Sequence, residues 1–250
     1  MASHVVEEEM KRFFTQSISD KPTLTGEEHK HLSVVLRAKT GDEIILCTGD
    51  GYDRICKIEE IRKNETVLSP VKTVKNESEP SIHVALFMSV MKGDKNDLVV
   101  QKATELGVSE IFPVITRYVQ AHDKTVKTER FGRIVAEAAK QCGRSVLPKV
   151  NSPVEFNDAA RKFSEYDLRV FPYENAEKPS LKEFLRGTEC EGISSAAIFV
   201  GSEGGFAEEE AELLASYGVV PVTLGKRIMR AETANIAVLS ALMYETEQWQ

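Results

Sequence analysis

The sequence predicts an α/β protein with a mostly parallel sheet, preceded by a small β domain. From Ile82 onward, apolar runs of strand length alternate with stretches of helical periodicity, a pattern typical of parallel strands joined by helices. Before that point the chain has only short apolar runs separated by tight turns. We therefore place one domain at residues 10–73 and a second at residues 81–250. The charged stretch Lys72–Pro80 is the predicted linker.

The first domain contains three predicted strands. They are Glu43–Cys47, Arg54–Ile61 and Thr66–Val71. Gly49-Asp50-Gly51 separates the first two strands, and a short turn of this composition favours a hairpin. The pattern predicts a small β-barrel-like domain.

The second domain opens with Ile82–Met91, an almost continuous apolar run that indicates a strand buried on both faces. Further predicted strands are Val108–Ile115, Leu168–Phe171, Ala196–Val200 and Val219–Leu224. A helix is predicted over Asp94–Leu106, with Leu98, Val99, Ala103 and Leu106 facing inward and Gly107 ending it. Later helices are Glu129–Cys142, ended by Gly143, and Glu232–Trp249.

Composition is that of an ordinary globular protein, with 42% hydrophobic and 28% charged residues in 250. No apolar run is long enough for a membrane span, and no signal peptide is visible, so we expect a cytoplasmic protein. The four cysteines are scattered without a CxxC pair, and we expect no metal site. Residues 1–9, which end in three glutamates, are interpreted as a natural extension or partly as an expression tag.

Charge is unevenly distributed along this acidic chain, whose net charge is −7. Residues 116–149 carry a net charge of +5, whereas residues 150–225 carry −8. The basic segment is compatible with a local patch that contacts nucleic-acid phosphates, or with a solvated helix face of ordinary charge scatter.

Two predicted loops carry the candidate chemistry, because ligands of parallel sheets bind where loops leave the carboxyl ends of strands. Gly201-Ser202-Glu203-Gly204-Gly205 follows the strand Ala196–Val200, and its glycines permit close approach of the backbone to a ligand. Acidic residues fill the first turn of the next helix, which disfavours a phosphate there. Alone, the segment also fits a plain glycine-rich turn.

The second loop is Leu224–Ala234, with the sequence LGKRIMRAETA. Arg227, Arg230 and Glu232 cluster at a strand end where a core would not require them, and Thr233 is suited to cap a helix or to contact a ligand. An ordinary helix entry with a salt bridge is the alternative.

Both loops, in this order, closely resemble the SPOUT class of methyltransferases and, within it, the ribosomal RNA small subunit methyltransferase E family. The resemblance covers nearly the whole chain. Its less specific parts are KRFF at 11–14, HL followed by VLR at 31–37, KGD at 92–94, QKATELG at 101–107 and QCGR at 141–144. The most specific parts are GSEGGF and LGKRIMRAETA. Ser202 and Met229 depart from the family's usual proline and leucine.

The resemblance implies a C-terminal domain with a trefoil knot, a PUA-like N-terminal β-barrel that binds RNA, and a homodimer. It implies S-adenosylmethionine as the cofactor and N3 of a uridine in 16S ribosomal RNA, or in the small ribosomal subunit, as the target. The expected cofactor-binding residues are Val200, Gly201, Glu203, Gly204, Gly205, Leu224, Gly225, Ile228, Met229, Arg230, Thr233 and Ala234. The expected RNA-binding residues are His31, Arg37, Lys92, Lys124, Lys127, Arg130, Arg133 and Arg144.

Methyl transfer to uridine N3 requires loss of the N3 proton, and an arginine would stabilise the negative charge that develops on the base. Arg230 is the first candidate for this catalytic role and Arg144 the second. Glu232 or Glu203 either accepts the proton or orders an arginine. Alternatives are another base or ribose methylation on the same fold, and an inactive protein that binds RNA or assists ribosome assembly. A dinucleotide enzyme is disfavoured because no GxGxxG follows a strand.

Overall fold

The computed structural model describes residues 10–15, 19–119, 126, 128–188 and 192–249. The chain forms two compact units. The first comprises residues up to Glu79 together with Ala139–Leu147, and the second comprises Pro80–Ala138 and the chain from Pro148 onward. The sequence division assigned residues 139–147 to the domain at 81–250, whereas in the structure they belong to the first unit.

The first unit is built on a five-stranded sheet with the spatial order β1-β3-β4-β5-β2. The strands are β1 (Arg12–Phe14), β2 (Thr23–Thr25), β3 (Glu43–Cys47), β4 (Tyr52–Ile61) and β5 (Glu65–Lys75). Helix α1 (Gly26–Lys30) and a π-helical turn (His31–Val35) follow β2. The three predicted strands are present. Because β5 continues through Lys75, the first four residues of the predicted linker are strand.

A buried polar network links β1 to β4 in this unit. Both terminal nitrogens of Arg12 donate to the Asp53 carboxylate, and Nδ2 of Asn76 lies 3.1 Å from each Asp53 oxygen. Burial raises the pKa of Asp53, but the hydrogen bonds from Arg12 and Asn76 outweigh it and hold that pKa below its ordinary value. Asp53 is therefore ionised at neutral pH and balances the buried guanidinium.

The second unit is an α/β structure whose described strands are all parallel, in the order β12-β10-β11-β6-β7-β8, with β9 also paired to β7. The strands are β6 (His83–Ser89), β7 (Glu110–Ile115), β8 (Lys149–Val150), β9 (Val154–Glu155), β10 (Leu168–Pro172), β11 (Ser195–Val200) and β12 (Pro221–Val222). The helices are α2 (Lys95–Glu105), α3 (Thr128–Cys142), α4 (Phe156–Phe163), α5 (Leu181–Gly187), α6 (Glu208–Ser216) and α7 (Ala231–Glu245), and the last four residues of α3 belong to the first unit. The predicted parallel sheet is confirmed.

Both faces of this sheet are covered, which explains the unbroken apolar run of its central strand. Along β6, Val84 and Leu86 belong to an apolar cluster that includes residues of α2, α3 and α7. Ala85 and Phe87 belong to a second cluster, which includes residues of α4 and α6. Alternate residues of a strand point to opposite faces, so a strand covered on both sides is apolar at every position.

Helix α2 buries a different face from the one predicted. Val99 and Ala103 are buried as expected, but Leu98 is 41% exposed and Val100 and Thr104 are buried instead. The buried face is the one that contacts α7, so the position of α7 sets the orientation of α2. The predicted helix ends at Gly107 and Gly143 are confirmed, since both glycines have a left-handed backbone with φ of +100° and +82°. Among the described residues, no helix has the length and apolar character of a membrane span.

Candidate active site

A cavity of about 540 Å³ lies where β10, β11 and β12 end. Both loops that the sequence indicated form its walls. The residues that line it are Lys95, Pro172–Glu174, Val200–Phe206, Thr223–Gly225, Arg227–Ala231 and Ala234. The carboxyl ends of parallel strands meet at one edge of a sheet, so loops distant in sequence come together there. Of the twelve residues expected to bind a cofactor, all but Thr233 line the cavity.

The glycine-rich loop leaves no room for side chains at its last two positions. A Cβ at Gly204 would lie 2.8 Å from Cβ of Tyr118, an atom fixed to the backbone. At Gly205, where φ is +68°, a Cβ would lie 1.9 Å from Oε1 of Glu174. The turn is closed by the Gly205 amide, which donates to the Ser202 carbonyl over 3.0 Å. Backbone atoms therefore form this wall of the cavity.

Glu203 joins the glycine-rich loop to the segment before α2. Its Oε1 accepts hydrogen bonds from Lys95 Nζ at 2.7 Å and from the Lys92 amide at 3.1 Å. Partial burial raises the pKa of Glu203, but these hydrogen bonds outweigh it and hold the pKa below its ordinary value. The carboxylate is ionised at neutral pH and already engaged, which indicates a positioning role for Glu203.

The opposite loop provides an apolar surface and two cations. Leu224, Met229, Ala231 and Ala234 line the cavity with carbon atoms, and Arg227 and Arg230 add exposed guanidinium groups. Ile228 is 96% exposed at the cavity rim. This combination of apolar wall and a few polar groups is typical of sites for small organic ligands.

Three expected site residues lie elsewhere. Thr233 is exposed on α7 and does not line the cavity, because Ala231 and Ala234 occupy the face of that helix turned toward it. Glu232 is half-buried beside this face, and its Oε2 has no hydrogen-bond partner among the described residues. Arg144 belongs to the first unit.

Arg144 is buried and ion-paired. It is only 3% exposed, and its Nε and Nη2 lie 3.1 Å and 2.9 Å from Oε2 of Glu79. The other Glu79 oxygen accepts the backbone amides of Ser145 and Val146. A neutralised, enclosed guanidinium of this kind orders the segment around it, so the geometry favours a structural role for Arg144 over contact with a base.

Sequence reasoning missed several residues of the cavity. Glu174 and Tyr173 follow β10, and Lys95 begins α2. Ser202, which the sequence marked as a departure from its family, is 6% exposed, lines the cavity, and its hydroxyl has no hydrogen-bond partner among the described residues. Like the two predicted loops, Glu174 directly follows a buried strand of the sheet. That position in the sequence could have identified it as a candidate site residue.

The residues expected to contact RNA have varied surroundings. His31 packs near the Phe13 ring, with ring centroids 6.1 Å apart, whereas Arg37 is exposed and has φ of 53°. Lys92 is exposed. Arg130 pairs with Asp97, while exposed Arg133 has no ion-pair partner among the described residues. Lys124 and Lys127 lie outside the described residues.

Comparison with known families gives two matches. Residues 77–243 match an RNA methyltransferase domain, and residues 24–70 match an RNA methyltransferase PUA domain. The second match confirms that the five-stranded first unit is PUA-like. The first match spans both loops of the cavity.

Individual relatives extend the likeness over nearly the whole chain. Ribosomal RNA small subunit methyltransferase E of Bacillus subtilis is 34% identical, with 95% of this chain and 98% of the relative covered. The enzyme of the same name from Rickettsia conorii is 32% identical, with 89% of each chain covered.

Solved structures agree with these relatives. The Neisseria gonorrhoeae ribosomal RNA small subunit methyltransferase E bound to S-adenosyl methionine has a TM-score of 0.84 at 28% identity, covering 94% of this chain and 97% of that one. A Legionella pneumophila methyltransferase in complex with the same cofactor has a TM-score of 0.82 at 27% identity, with the same coverage. The chain thus belongs to the ribosomal RNA small subunit methyltransferase E family, with the α/β SPOUT fold and an N-terminal PUA-like domain.

Proposed function

We propose that this protein transfers the methyl group of S-adenosylmethionine to N3 of a specific uridine in 16S ribosomal RNA. The observation that carries the proposal is the cavity that the two family loops enclose at the carboxyl end of the sheet. Such a reaction belongs in the cytoplasm, where ribosomal subunits are made in bacteria, the source of the relatives described above.

The cavity residues fit this cofactor. Val200, Leu224 and Met229 offer an apolar surface for a purine, and the glycine-rich loop offers backbone groups at close range. Arg227 offers a positive charge for the carboxylate of an amino acid. The volume of about 540 Å³ falls within the usual range for such ligands, about 300–1,000 Å³.

When bound, S-adenosylmethionine supplies a methyl group already activated by its sulfonium, so the protein's main task is alignment. Uracil N3 holds a proton at neutral pH and becomes a nucleophile as that proton leaves. We assign Arg230, exposed on the cavity wall, to stabilise the negative charge that develops on the uracil carbonyl oxygens.

Glu232 is the candidate acceptor for the N3 proton. Its Oε2 is buried and has no hydrogen-bond partner among the described residues, and because Glu232 does not line the cavity, its side chain would have to turn toward the base to accept the proton. Glu203 is less suited to this role because Lys95 and the Lys92 amide already occupy Oε1. Arg144, the second catalytic candidate from sequence, orders its own segment through Glu79 in this proposal.

RNA is held by exposed cations outside the cavity. We assign Arg37 of the PUA-like unit to this task, together with Lys92 and Arg133 of the second unit, and the half-buried His31 ring as a further RNA contact. Lys124 and Lys127 extend the basic segment in the sequence. The protein as a whole carries a net charge of −7, so the rest of its surface repels RNA. A few cationic contacts on such a protein therefore favour selective binding.

We also propose that the protein works as a homodimer. Helix α7 buries Val238, Leu239 and Leu242 in the core but leaves Tyr244 66% exposed, and nearby Trp249 is 52% exposed. A second copy of the chain would cover such large apolar groups. Light scattering at micromolar concentration should give twice the chain mass of 27.9 kDa, and a single chain mass would contradict the proposal.

The function is tested by mass spectrometry of nucleosides from 16S RNA or small subunits incubated with the protein and isotope-labelled S-adenosylmethionine. Labelled 3-methyluridine is the expected product. A label found instead on a ribose 2′-oxygen or on guanine N1 would identify that atom as the target and would contradict methylation of uridine N3. Cofactor binding and RNA binding without any transferred label would favour an inactive RNA-binding or assembly protein.

A further inference from the structure

The charged groups on the cavity wall do not balance one another. Lys95 and Glu203 form an ion pair of 2.7 Å. Three charged side chains remain, namely Glu174, Arg227 and Arg230, and none of them pairs with another described residue. Glu174 is therefore the single carboxylate on the described wall that has no cationic partner, and it faces a cavity with two unpaired guanidinium groups.

The position of Glu174 is set by the fold. It follows β10, whose last residue Pro172 also lines the cavity, and its Oε1 occupies the space where a side chain at Gly205 would stand. The carboxylate thus lies against the backbone of the glycine-rich loop. The absence of a side chain at Gly205 is what leaves room for it.

The positive charge of the bound cofactor gives the Glu174 carboxylate a role in binding. S-adenosylmethionine carries a sulfonium cation, whereas the thioether product, S-adenosylhomocysteine, lacks the transferred methyl group and that charge and otherwise keeps the same groups. With Glu174 neutralised, the unpaired groups of the described wall would carry a charge of +2 from Arg227 and Arg230 and would repel the sulfonium. Charges a few ångströms apart in a partly enclosed site interact appreciably even after solvent screening.

We propose that Glu174 is a specificity-determining residue that makes the cavity prefer the sulfonium cofactor over its neutral thioether product. The inference rests on the proposed function, since it assumes that these two molecules share the cavity. It goes beyond that function because it assigns a role in substrate retention and product release to a residue outside both family loops.

The test is calorimetric titration of the full chain with S-adenosylmethionine and, separately, S-adenosylhomocysteine. The variants are Glu174→Gln, Glu174→Asp and Glu177→Gln. Glu177 is the matched control, because it is an exposed carboxylate three residues along the same loop that does not line the cavity. Retained binding of the thioether in Glu174→Gln shows that the variant has a folded cavity.

In Glu174→Gln we expect the dissociation constant for the sulfonium to rise roughly fivefold or more, with that for the thioether nearly unchanged. Glu174→Asp should recover part of the preference, and Glu177→Gln should keep all of it. Higher salt should narrow the preference of the unaltered chain, since screening weakens charge interactions.

Two results would overturn the inference in different ways. Equal loss of both ligands, or no loss of either, in Glu174→Gln would show that Glu174 does not read the sulfonium charge, and the proposed function would stand. Failure of the unaltered chain to bind either ligand would remove the proposed function and this inference with it.

Discussion

Nζ of Lys95 lies 2.7 Å from Oε1 of Glu203 in the cavity wall. Lys95 begins α2, whereas Glu203 belongs to the loop after β11, so the ion pair joins two segments that are more than one hundred residues apart. Both side chains are about one-third exposed. The contact therefore contributes little to overall stability but fixes the glycine-rich loop in one position.

Lys95→Ala should weaken S-adenosylmethionine binding roughly fivefold, equivalent to about 1 kcal/mol, because the loop loses its tie to α2. Thermal stability should hardly change. Lys102→Ala is the control, since Lys102 pairs with Glu105 on the same helix without lining the cavity. Calorimetry that finds equal affinities for both variants would show that the loop holds its position without Lys95.

Gly204→Val should abolish cofactor binding, because a Cβ there meets Cβ of Tyr118 at 2.8 Å and neither atom can move without its backbone. Gly132→Val is the matched control, as Gly132 lies in α3 with open space around its Cβ position. Circular dichroism should show both variants folded. Undiminished binding by folded Gly204→Val would place the cofactor elsewhere.

Arg230→Ala should lower turnover at saturating RNA and cofactor by roughly a hundredfold or more, as expected for loss of a preorganised group that stabilises transition-state charge. RNA affinity should change little. Cofactor affinity is measured separately, because Arg230 also lines the cavity. Near-normal turnover would show that Arg230 is not the group that stabilises this charge.

Arg133→Ala should raise the RNA dissociation constant and lower its salt dependence by about one unit of slope, with saturated turnover retained. Arg130→Ala should have a weaker effect, because Arg130 is paired with Asp97 and its charge is already balanced. Binding measured over a salt series distinguishes the two variants. If both variants change RNA affinity and its salt dependence equally, the two arginines contribute equally to RNA binding.

Asp53→Asn should lower the free energy of unfolding of the PUA-like unit by about 3 kcal/mol, since it leaves Arg12 buried without a counter-charge. The pKa of Asp53 is below its ordinary value, so this stabilisation is complete above the ordinary aspartate pKa, about 3.9, and disappears as the pH falls further. The difference in unfolding free energy between the unaltered chain and Asp53→Asn, measured by urea titration, should therefore disappear as the pH is lowered. Asp50→Asn, in an exposed pair with Arg54, should cost less than about 1 kcal/mol at any pH.

The fold was largely predictable from sequence because strand and helix signals are local. The apolar run at β6 and the helix-ending glycines Gly107 and Gly143 each have a direct structural meaning. The orientation of α2 was not predictable in full, since Leu98 and Val100 are both apolar and tertiary packing, including the contact with α7, decides which is buried. The assignment of residues 139–147 to the first unit likewise depends on tertiary contacts, such as that of Arg144 with Glu79.

The site was predictable where its residues lie in unusual segments. Three glycines in five residues, and two arginines at a strand end, stand out in a sequence. Glu174 and Lys95 have ordinary neighbours, and their place in the cavity follows only from the strand order and from where α2 begins. Thr233 shows the converse, because it lies within the most specific motif but on the face of α7 turned away from the cavity.

The proposed function requires that one uridine of 16S RNA receives a methyl group on N3, and primer extension detects such a modification. A methyl group on N3 blocks the pairing edge of uracil, so reverse transcription of RNA treated with protein and S-adenosylmethionine should stop once, immediately before a uridine. The stop should be missing without cofactor and with Gly204→Val. No cofactor-dependent stop, a stop before a guanine, or stops at many uridines would rule out methylation of one specific uridine at N3.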